Sequence, residues 1–361
     1  MKKIIVPDYY KDFHCKCGAC RKCCCEGWGI TLSYKEYCAL LGIDCSRELR
    51  RKLDCAFFVL PDADNKRYAE MKQSFTGDCP LRRSDGLCAL QCECGEEVLP
   101  AICKLYPRNV VFCALNEGSC ANSCERVAEM LYREKKITFE EIEDEYFSYA
   151  PKDDNEERKY RILQEQAIEI LQDRSKPLNL RFIEIGNLLN YENSTVKVSE
   201  VDIFETLFSF IKALEEYSPS FSECAVFAEE DIKILNSGIE KTFIERRYKE
   251  ARKVFYERFP LVDCFFENLF VNHLIFTRFP YSQKRESIFE EYAELCGTYV
   301  VTKFVAIAYT ERQGTFDDLI DCVSALFRCF EHSDAGGVIR SVLTRSGKLG
   351  YPYIANMLAE F

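Results

Sequence analysis

The chain has 361 residues, of which 47% are hydrophobic and 13% aromatic, and its net charge is −11. This composition excludes a disordered chain and predicts one large domain or two. The negative charge argues against a nucleic-acid-binding protein, which needs a basic face. It favours a cytoplasmic protein whose partners carry positive charge, such as lysine-bearing protein surfaces.

Cysteine is the unusual residue, because there are 22 cysteines and 17 of them lie at or before Cys124. Six of the eleven residues from Cys15 to Cys25 are cysteine. Met1–Pro7 does not read as a secretory signal, and no apolar run reaches the roughly eighteen residues of a membrane helix. In a reducing cytoplasm, clustered cysteines are more often metal ligands or redox groups than disulfides.

In the first third of the chain, short helix and hairpin signals lie between the cysteines. Ser33, with Glu36 three residues later, predicts a capped helix start, and Ser46 predicts a second one. In chain order, the predicted elements are a helix from Tyr34 to Leu41, a helix from Ser46 to Leu53, a hairpin of Ala56–Leu60 with Arg67–Met71, a helical turn presenting Cys103, a strand over Asn109–Cys113 and a helix from Ser123 to Lys135.

The pattern changes after about residue 135, where helical periodicity dominates and strand signals are nearly absent. Thr138–Glu141 is predicted to be a capping box and Pro151–Glu157 a linker. Helices are predicted around Leu163–Leu171, after a cap at Ser199, and at about 229–257, 261–276, 284–312, 316–331 and 335–344. Gly314 and Gly336-Gly337 are predicted to be stops between them.

We therefore predict a mainly α protein with two domains. Residues 1–135 are expected to form a Cys-rich metal-cluster domain with little regular structure and short hairpins. Residues 136–361 are expected to form an all-helical domain rich in phenylalanine and tyrosine.

The spacing Cys17-x2-Cys20-x2-Cys23-Cys24 suits a metal, because short spacings form turns from which several thiolates converge on one centre. Later cysteines would complete the site. Thiolate-only ligation fits either zinc or an iron–sulfur cluster, and both alternatives stay open. The other interpretation of a cysteine is a small buried hydrophobic residue. It is predicted for Cys38, Cys45, Cys224, Cys264, Cys296, Cys322 and Cys329.

A longer series of residues carries a family resemblance. The series consists of Phe13-x-Cys15-x4-Cys20-x3-Cys24-Cys25-x2-Trp28, Cys79-Pro80-Leu81, Asp85-Gly86-Leu87-Cys88, Pro100-x2-Cys103-x2-Tyr106-Pro107-Arg108 and Ser123-Cys124-Glu125. These residues resemble the flagellin lysine N-methylase family, and the first part also resembles CxxCxxCC zinc- or iron-chelating domains. The segments from Glu267 to Pro280 and from Phe327 to His332 resemble the helical part of the family.

The resemblance implies methylation of flagellin lysines with S-adenosylmethionine, and a [4Fe–4S] cluster, with zinc as the alternative. Its motifs give the candidate metal ligands Cys15, Cys20, Cys24, Cys25, Cys79, Cys88, Cys103 and Cys124. Tyr106 and Arg108 are candidate catalytic residues because they follow a predicted ligand. Trp28, Asn268, Arg328 and His332 are candidate cofactor-binding residues. Neither nucleic acid nor a membrane is an expected partner.

The sequence departs from the family pattern in its additional cysteines, which are Cys17, Cys23, Cys92, Cys94 and Cys120. It lacks the G-x-G-x-x-G turn of a Rossmann methyltransferase and the C-x3-C-x2-C spacing of radical S-adenosylmethionine enzymes. A rival hypothesis is a metal-binding or electron-transfer module with a helical partner-binding domain. A purely structural zinc protein is a third.

Overall fold

The computed structural model describes residues 2–27, 29–75, 77–111, 116–144, 155–189, 200–225, 241–280, 287–312 and 314–361. The chain divides into two compact units. The cysteine unit comprises His14–Arg108 and Cys124–Arg126, and the helical unit comprises Met1–Phe13, Asn109–Ser123 and Val127–Phe361. The helical unit thus includes Met1–Phe13, Asn109–Ser123 and residues 127–135, all of which the expected boundary at residue 135 assigns to the first domain. Compactness alone does not test that boundary, which stays a prediction.

The regular elements are as follows. The strands are β1 (Lys2–Pro7), β2 (Thr31–Leu32), β3 (Phe57–Val59), β4 (Ala69–Met71), β5 (Arg108–Val111), β6 (Glu117–Cys120) and β7 (Phe139–Asp144). The first eight helices are α1 (Tyr34–Leu41), α2 (Arg47–Ala56), α3 (Ala89–Cys94), α4 (Ala101–Leu105), α5 (Glu125–Leu131), α6 (Asn155–Leu171), α7 (Leu178–Leu188) and α8 (Glu200–Tyr217). Helix α9 covers residues 219–225. The last are α10 (Lys241–Arg258), α11 (Val262–Thr277), α12 (Ile288–Arg312), α13 (Phe316–His332), α14 (Ala335–Arg345) and α15 (Tyr351–Glu360).

The cysteine unit is built on a three-stranded sheet in the order β2-β4-β3. The predicted hairpin is confirmed, with Phe57 opposite Met71 and Val59 opposite Ala69. The capping box of α1 is also confirmed, since Ser33 accepts from the Glu36 backbone N–H while the Glu36 side chain accepts from that of Ser33. The apolar core is small and consists of Leu32, Leu40, Leu49, Leu53, Ala56, Phe57, Ala69, Met71, Leu81 and Leu90.

The helical unit includes most of a four-stranded sheet in the order β5-β6-β1-β7. Strand β1 pairs in parallel with β6 and antiparallel with β7, from Lys2 opposite Asp144 to Pro7 opposite Phe139. The capping box predicted at Thr138–Glu141 is therefore wrong, because most of this segment is a strand. Ile142 lies opposite Ile4, while Glu141 pairs with Lys3 across the strands at 2.8 Å. The pairing of this segment with β1 stabilises it as a strand, although its local sequence pattern favours the start of a helix.

Among the described residues after 135, the predicted helices correspond to α6, α8 and α10–α14, whereas α7, α9 and α15 were missed. Helices α7 and α15 have a proline at their start, Pro177 and Pro352, which suits a first turn but interrupts the helical periodicity of the sequence. Gly336 and Gly337 lie inside α14 rather than stopping a helix. A Cβ at Gly336 would lie 2.5 Å from the carboxylate of Glu294, and a Cβ at Gly337 would lie 2.5 Å from the carboxylate of Asp334.

Some predicted features lie outside the described residues. They are the linker at 151–154, the cap at Ser199, the start of the helix predicted from about 229, and the start of the one predicted from about 284.

Aromatic side chains dominate the core of the helical unit. Phe182 stacks on Tyr299 with ring centroids 4.3 Å apart, and Phe270 meets both rings edge-on. Cys296 and Cys322 are fully buried among apolar residues, as predicted. The prediction of burial was wrong for Cys38, which is exposed, and for Cys45 and Cys264, which are half-buried.

Within the described residues, no single helix has the length and apolarity needed to cross a membrane. The pair Arg246–Arg258 and Val262–Thr277 passes that test only when the two helices are joined, and they meet at a 92° bend.

Candidate metal centre and buried polar network

The cysteine loop, residues 15–25, lies against a turn of the same unit. It contains one 3-10 turn at Cys17–Ala19, where Cys17 has a left-handed φ of 53°. Gly18 contacts the turn so closely that a Cβ would lie 2.5 Å from the Asp85 carbonyl oxygen. Glycine is therefore required at this position, and the close approach fixes the loop beside the segment that leads to Cys88.

Four cysteines gather into what we call the inner thiol group: Cys25, Cys79, Cys88 and Cys103. The backbone N–H of Cys79 donates to the Cys25 carbonyl at 2.7 Å. Cys88 pairs with Arg82 in a short antiparallel bridge that turns back from Cys79, and it occupies the N-cap position of α3. Cys103 is presented by α4, as predicted.

The charges of these thiols act on one another's pKa values. Desolvation of the Cys103 thiol, followed by the charges of Cys25, Cys79 and Cys88, raises its pKa to about 12, although the residue as a whole is exposed. Burial and the neighbouring Cys88 charge likewise contribute to a pKa of about 11 at Cys79, against opposing backbone hydrogen bonds. Such a group resists ionisation unless a cation compensates it, and a thiophilic metal provides that compensation.

A carboxylate anchors the helix that presents Cys103. Glu36, besides capping α1, accepts a hydrogen bond from the backbone N–H of Ala101 at 2.8 Å through Oε1. Burial would raise the pKa of Glu36, but the hydrogen bonds from Ser33 and Ala101 outweigh it and lower the pKa. Glu36 thus stays ionised and joins the first turns of α1 and α4.

A second set, the outer thiol group, consists of Cys15, Cys17 and Cys20. The backbone N–H of Cys17 lies 3.2 Å from Cys15 Sγ, and burial together with the charges of Glu125 and Cys15 raises the pKa of Cys20 to about 12. Cys23 is buried, and its charge acts on the pKa of Cys20 and of Cys79, one member of each group.

The eight predicted ligands therefore do not form one set. Four make up the inner thiol group, while Cys15 and Cys20 belong to the outer one. Cys24 is a hydrogen-bonding neighbour of Cys25, and Cys124 directly precedes Glu125 in α5. Across the described part of the chain, no three His, Cys, Asp or Glu side chains are arranged as a ready-made metal site. The ligand assignment stays a prediction.

The two predicted catalytic residues follow α4. Tyr106 is half-buried and donates its backbone N–H to Ile102 at 3.0 Å. Arg108 begins β5, and its charge opposes the burial that raises the pKa of Cys15. Arg108 thus lies beside the outer thiol group. Trp28 lies outside the described residues.

The helical unit contains a buried polar network. Asn272 of α11 donates to the Cys120 carbonyl and to Asn122 Oδ1, each at 2.7 Å, and accepts from the Tyr9 hydroxyl. The Asn122 backbone N–H donates to Glu331 at 2.7 Å. The additional cysteine Cys120 is thus a fully buried member of β6 and belongs to neither thiol group.

The same network includes two histidines. Glu331 Oε1 lies 3.2 Å from His273 Nδ1, and the Ser123 hydroxyl lies 2.8 Å from His332 Nε2. Burial raises the pKa of Glu331. Desolvation of the His332 ring, assisted by the charge of Arg328, lowers its pKa to about 4 although the residue as a whole is exposed, so this ring is neutral at physiological pH.

Of the predicted cofactor-binding residues, Asn268 is the most constrained. Its Nδ2 lies within 3.1–3.2 Å of three carbonyl oxygens, those of Leu131, Arg133 and Lys135. Its Oδ1 is buried and has no hydrogen-bond partner among the described residues. Asn268 therefore holds the segment after α5 in place, and Oδ1 is the only polar atom that it leaves for a ligand.

Sequence reasoning missed Tyr9, Asn122, Asn272 and Glu331 as members of one network. A signal was present on α11, where Asn268 and Asn272 lie four residues apart in a largely apolar helix and so share a face. The partners on β6 and α13 are distant in sequence, and only the fold brings them together.

Comparison with known proteins gives these features a context. A family described as "FliB lysine N-methylase C-terminal domain" matches residues 164–336, a range that contains α11 and α13. The chain is also 34% identical over 115 residues to "Lysine-N-methylase" of Salmonella choleraesuis (strain SC-B67) and of Salmonella typhimurium (strain LT2), which covers 30% of this chain and 27% of each relative. It is 33% identical over 115 residues to "Flagellar biosynthetic protein FliU" of Salmonella muenchen, covering 64% of that protein. No solved structure matches.

The family name and the names of the first two relatives describe an enzyme, a lysine N-methylase. The matched segment spans only about a quarter of the length of these two relatives. What the whole protein does is therefore a matter for proposal.

Proposed function

We propose that this protein is a lysine N-methylase that transfers a methyl group from S-adenosylmethionine to lysine side chains of flagellin. The single observation that carries the proposal is the match of residues 164–336 to the lysine N-methylase C-terminal domain. The flagellar name of the Salmonella muenchen relative supports flagellin as the substrate class. The net charge of −11 suits a lysine-bearing partner, and we place the reaction in the cytoplasm.

The reaction sets clear demands on the site. S-adenosylmethionine, when bound, supplies a methyl group from a positively charged sulfur, which leaves with the bonding electrons. The lysine amine has an ordinary pKa near 10.4, so the site must take its proton, align its lone pair and exclude water. We assign this work to the region of Tyr106 and Arg108, with the Tyr106 hydroxyl as the hydrogen-bond acceptor for the amine.

For donor binding we keep Trp28, Asn268, Arg328 and His332 as proposed residues, with limits set by their contacts. Asn268 contributes only Oδ1, because its amide N–H groups face backbone carbonyls. His332 is neutral and hydrogen-bonded to Ser123.

We propose further that the cysteine unit holds a [4Fe–4S] cluster, with zinc as the alternative. The donor set fits, because the inner thiol group supplies four thiols from three short segments and iron–sulfur clusters take four cysteines. Methyl transfer from a sulfonium needs no electrons. The metal therefore organises the unit rather than taking part in the transfer.

The test is to incubate the anaerobically purified protein with S-adenosylmethionine and flagellin from the same host, and to map methyl-lysine by peptide mass spectrometry. We expect methyl groups on flagellin lysines and none when S-adenosylmethionine is left out. Flagellin that gains no methyl group on any lysine would refute the enzyme assignment. If iron is nevertheless bound, the rival hypothesis of a metal-binding or electron-transfer module is favoured.

A further inference from the structure

A buried carboxylate organises the cysteine loop. Glu125, the first residue of α5, is 1% exposed and faces residues on both sides of Cys20. Its Oε2 accepts hydrogen bonds from the backbone N–H groups of Arg21 at 2.8 Å and Lys22 at 3.2 Å. Its Oε1 pairs with the Lys16 ammonium and with the Arg21 guanidinium, the latter at 3.3 Å.

These contacts define the path of the loop. The loop has one short 3-10 turn and no longer regular element, so its own backbone gives it little rigidity. The carboxylate supplies two backbone hydrogen bonds immediately after Cys20 and an ion pair before Cys17. A buried carboxylate that accepts two N–H groups and two cations also leaves few of its own lone pairs unsatisfied.

We propose that Glu125 is a positioning residue for the metal centre: it holds the segment from Lys16 to Lys22 so that the loop presents Cys25, its member of the inner thiol group, to a bound metal. This inference rests on the proposed metal centre. It adds a residue outside the thiol set, and one that is not a ligand. Groups that orient metal ligands typically change metal affinity 10- to 100-fold when removed.

The test uses the full chain, purified anaerobically, with two readouts: iron and zinc per chain together with the absorption spectrum, and the rate of metal release to EDTA. Glu125→Gln keeps the size of the side chain and an oxygen for the two backbone N–H groups, but it turns an amide toward Lys16 and Arg21. We expect a changed spectrum and metal release roughly 10- to 100-fold faster than in the wild type.

Glu267→Gln is the matched control. Glu267 is also 1% exposed and also pairs with two arginines, Arg174 at 2.9 Å and Arg181 at 2.7 Å, but it belongs to the helical unit. We expect this variant to lower the melting temperature and to leave the spectrum and the release rate as in the wild type.

A rescue variant separates positioning from general stability. In Lys16→Met/Glu125→Gln the amide no longer faces the ammonium, while the oxygen for the Arg21 and Lys22 N–H groups remains. We expect its release rate to return toward that of the wild type. If Glu125→Gln does not fold, the double variant decides. A spectrum and a metal-release rate like those of the wild type support the positioning role. A folded double variant that loses its metal, although the oxygen for the two backbone N–H groups is kept, overturns that role.

A Glu125→Gln variant with the spectrum and the release rate of the wild type would also overturn the inference, while leaving the metal centre intact. Wild-type protein that binds neither iron nor zinc would instead refute the metal centre itself. The two failures are thus distinguishable.

Discussion

The two units of this protein use cysteine in opposite ways. In the helical unit, Cys296 and Cys322 are fully buried among aromatic and aliphatic side chains. In the cysteine unit, Cys25, Cys79 and Cys88 are only half-buried and Cys103 is exposed, yet their thiols lie within electrostatic reach of one another. The same residue type is a small hydrophobic side chain in one setting and a candidate ligand in the other.

The units also differ in what stabilises them. Interlocked aromatic rings pack in the core of the helical unit, and each such ring buries a large apolar area. The cysteine unit has a small aliphatic core and depends on carboxylates such as Glu36 and Glu125 for its loop geometry. A unit of this kind gains most from a bound metal.

The largest effect is expected from removing an inner thiol. Cys79→Ser should abolish metal binding and unfold much of the cysteine unit, because the remaining three thiols cannot complete a four-ligand centre. Metal analysis and the absorption spectrum check this. Cys296→Ser, the same change in the helical unit, should keep the metal. Equal metal content in both variants would erase the distinction between the two cysteine populations.

Removing an aromatic ring from the helical unit should act on stability alone. Phe270 is fully buried and lies 5.3, 5.5 and 5.9 Å from the rings of Phe182, Tyr299 and Phe327. Phe270→Ala should lower the free energy of unfolding by about 3–5 kcal/mol, measured by urea denaturation. Its metal content should be that of the wild type. If Phe270→Ala loses its metal while its helical content stays that of the wild type, metal binding is not independent of the aromatic core of the helical unit.

Acid should weaken the helical unit through His332. Its pKa is lowered from 6.5 to about 4, so between these values the unfolded state binds more protons than the folded state. The contribution of His332 to stability is complete above pH 6.5 and is lost as the pH falls toward 4, and because the residue is exposed, solvent screening reduces the size of this loss. Urea denaturation across this range checks the loss, and His332→Gln should flatten it. An unchanged pH dependence in that variant would assign the loss to another group.

The smallest effect separates a structural role from a cofactor-binding role at Asn268. Asn268→Ala leaves the carbonyls of Leu131, Arg133 and Lys135 without their amide donor and should cost about 1–3 kcal/mol of stability. Urea denaturation measures this cost. Calorimetric titration with S-adenosylhomocysteine then tests the other role. A large loss of affinity without a loss of stability would contradict the structural role and assign Asn268 to the donor site.

Local signals predicted a large part of the fold. The capping box at Ser33 and Glu36, the hairpin of β3 and β4, and the long amphipathic helices all follow from short-range pattern and were confirmed. Strand β7 was missed because its stability comes from pairing with β1, more than 130 residues earlier in the chain. Pairing between distant segments leaves no trace in local periodicity.

The candidate site shows the same limit. The spacing of Cys17, Cys20, Cys23 and Cys24 predicted a metal site at the cysteine loop, which stays a prediction, and it could not divide the thiols into an inner and an outer group. That division depends on the close contact between Gly18 and the turn at Asp85. It also depends on the hydrogen bonds that the loop donates to Glu125, which lies more than 100 residues later in the chain. The network around Asn272 was likewise assembled from three distant segments.

The most direct test of the contrast between the two units is the amount of iron and acid-labile sulfide per chain in the anaerobically purified protein. A [4Fe–4S] cluster in the cysteine unit predicts about four of each, with a brown colour and broad charge-transfer absorption. A colourless protein with zinc and no sulfide would replace the cluster by a structural zinc site. A protein that holds neither iron nor zinc would contradict the account, because the grouped thiols would then have no metal to hold.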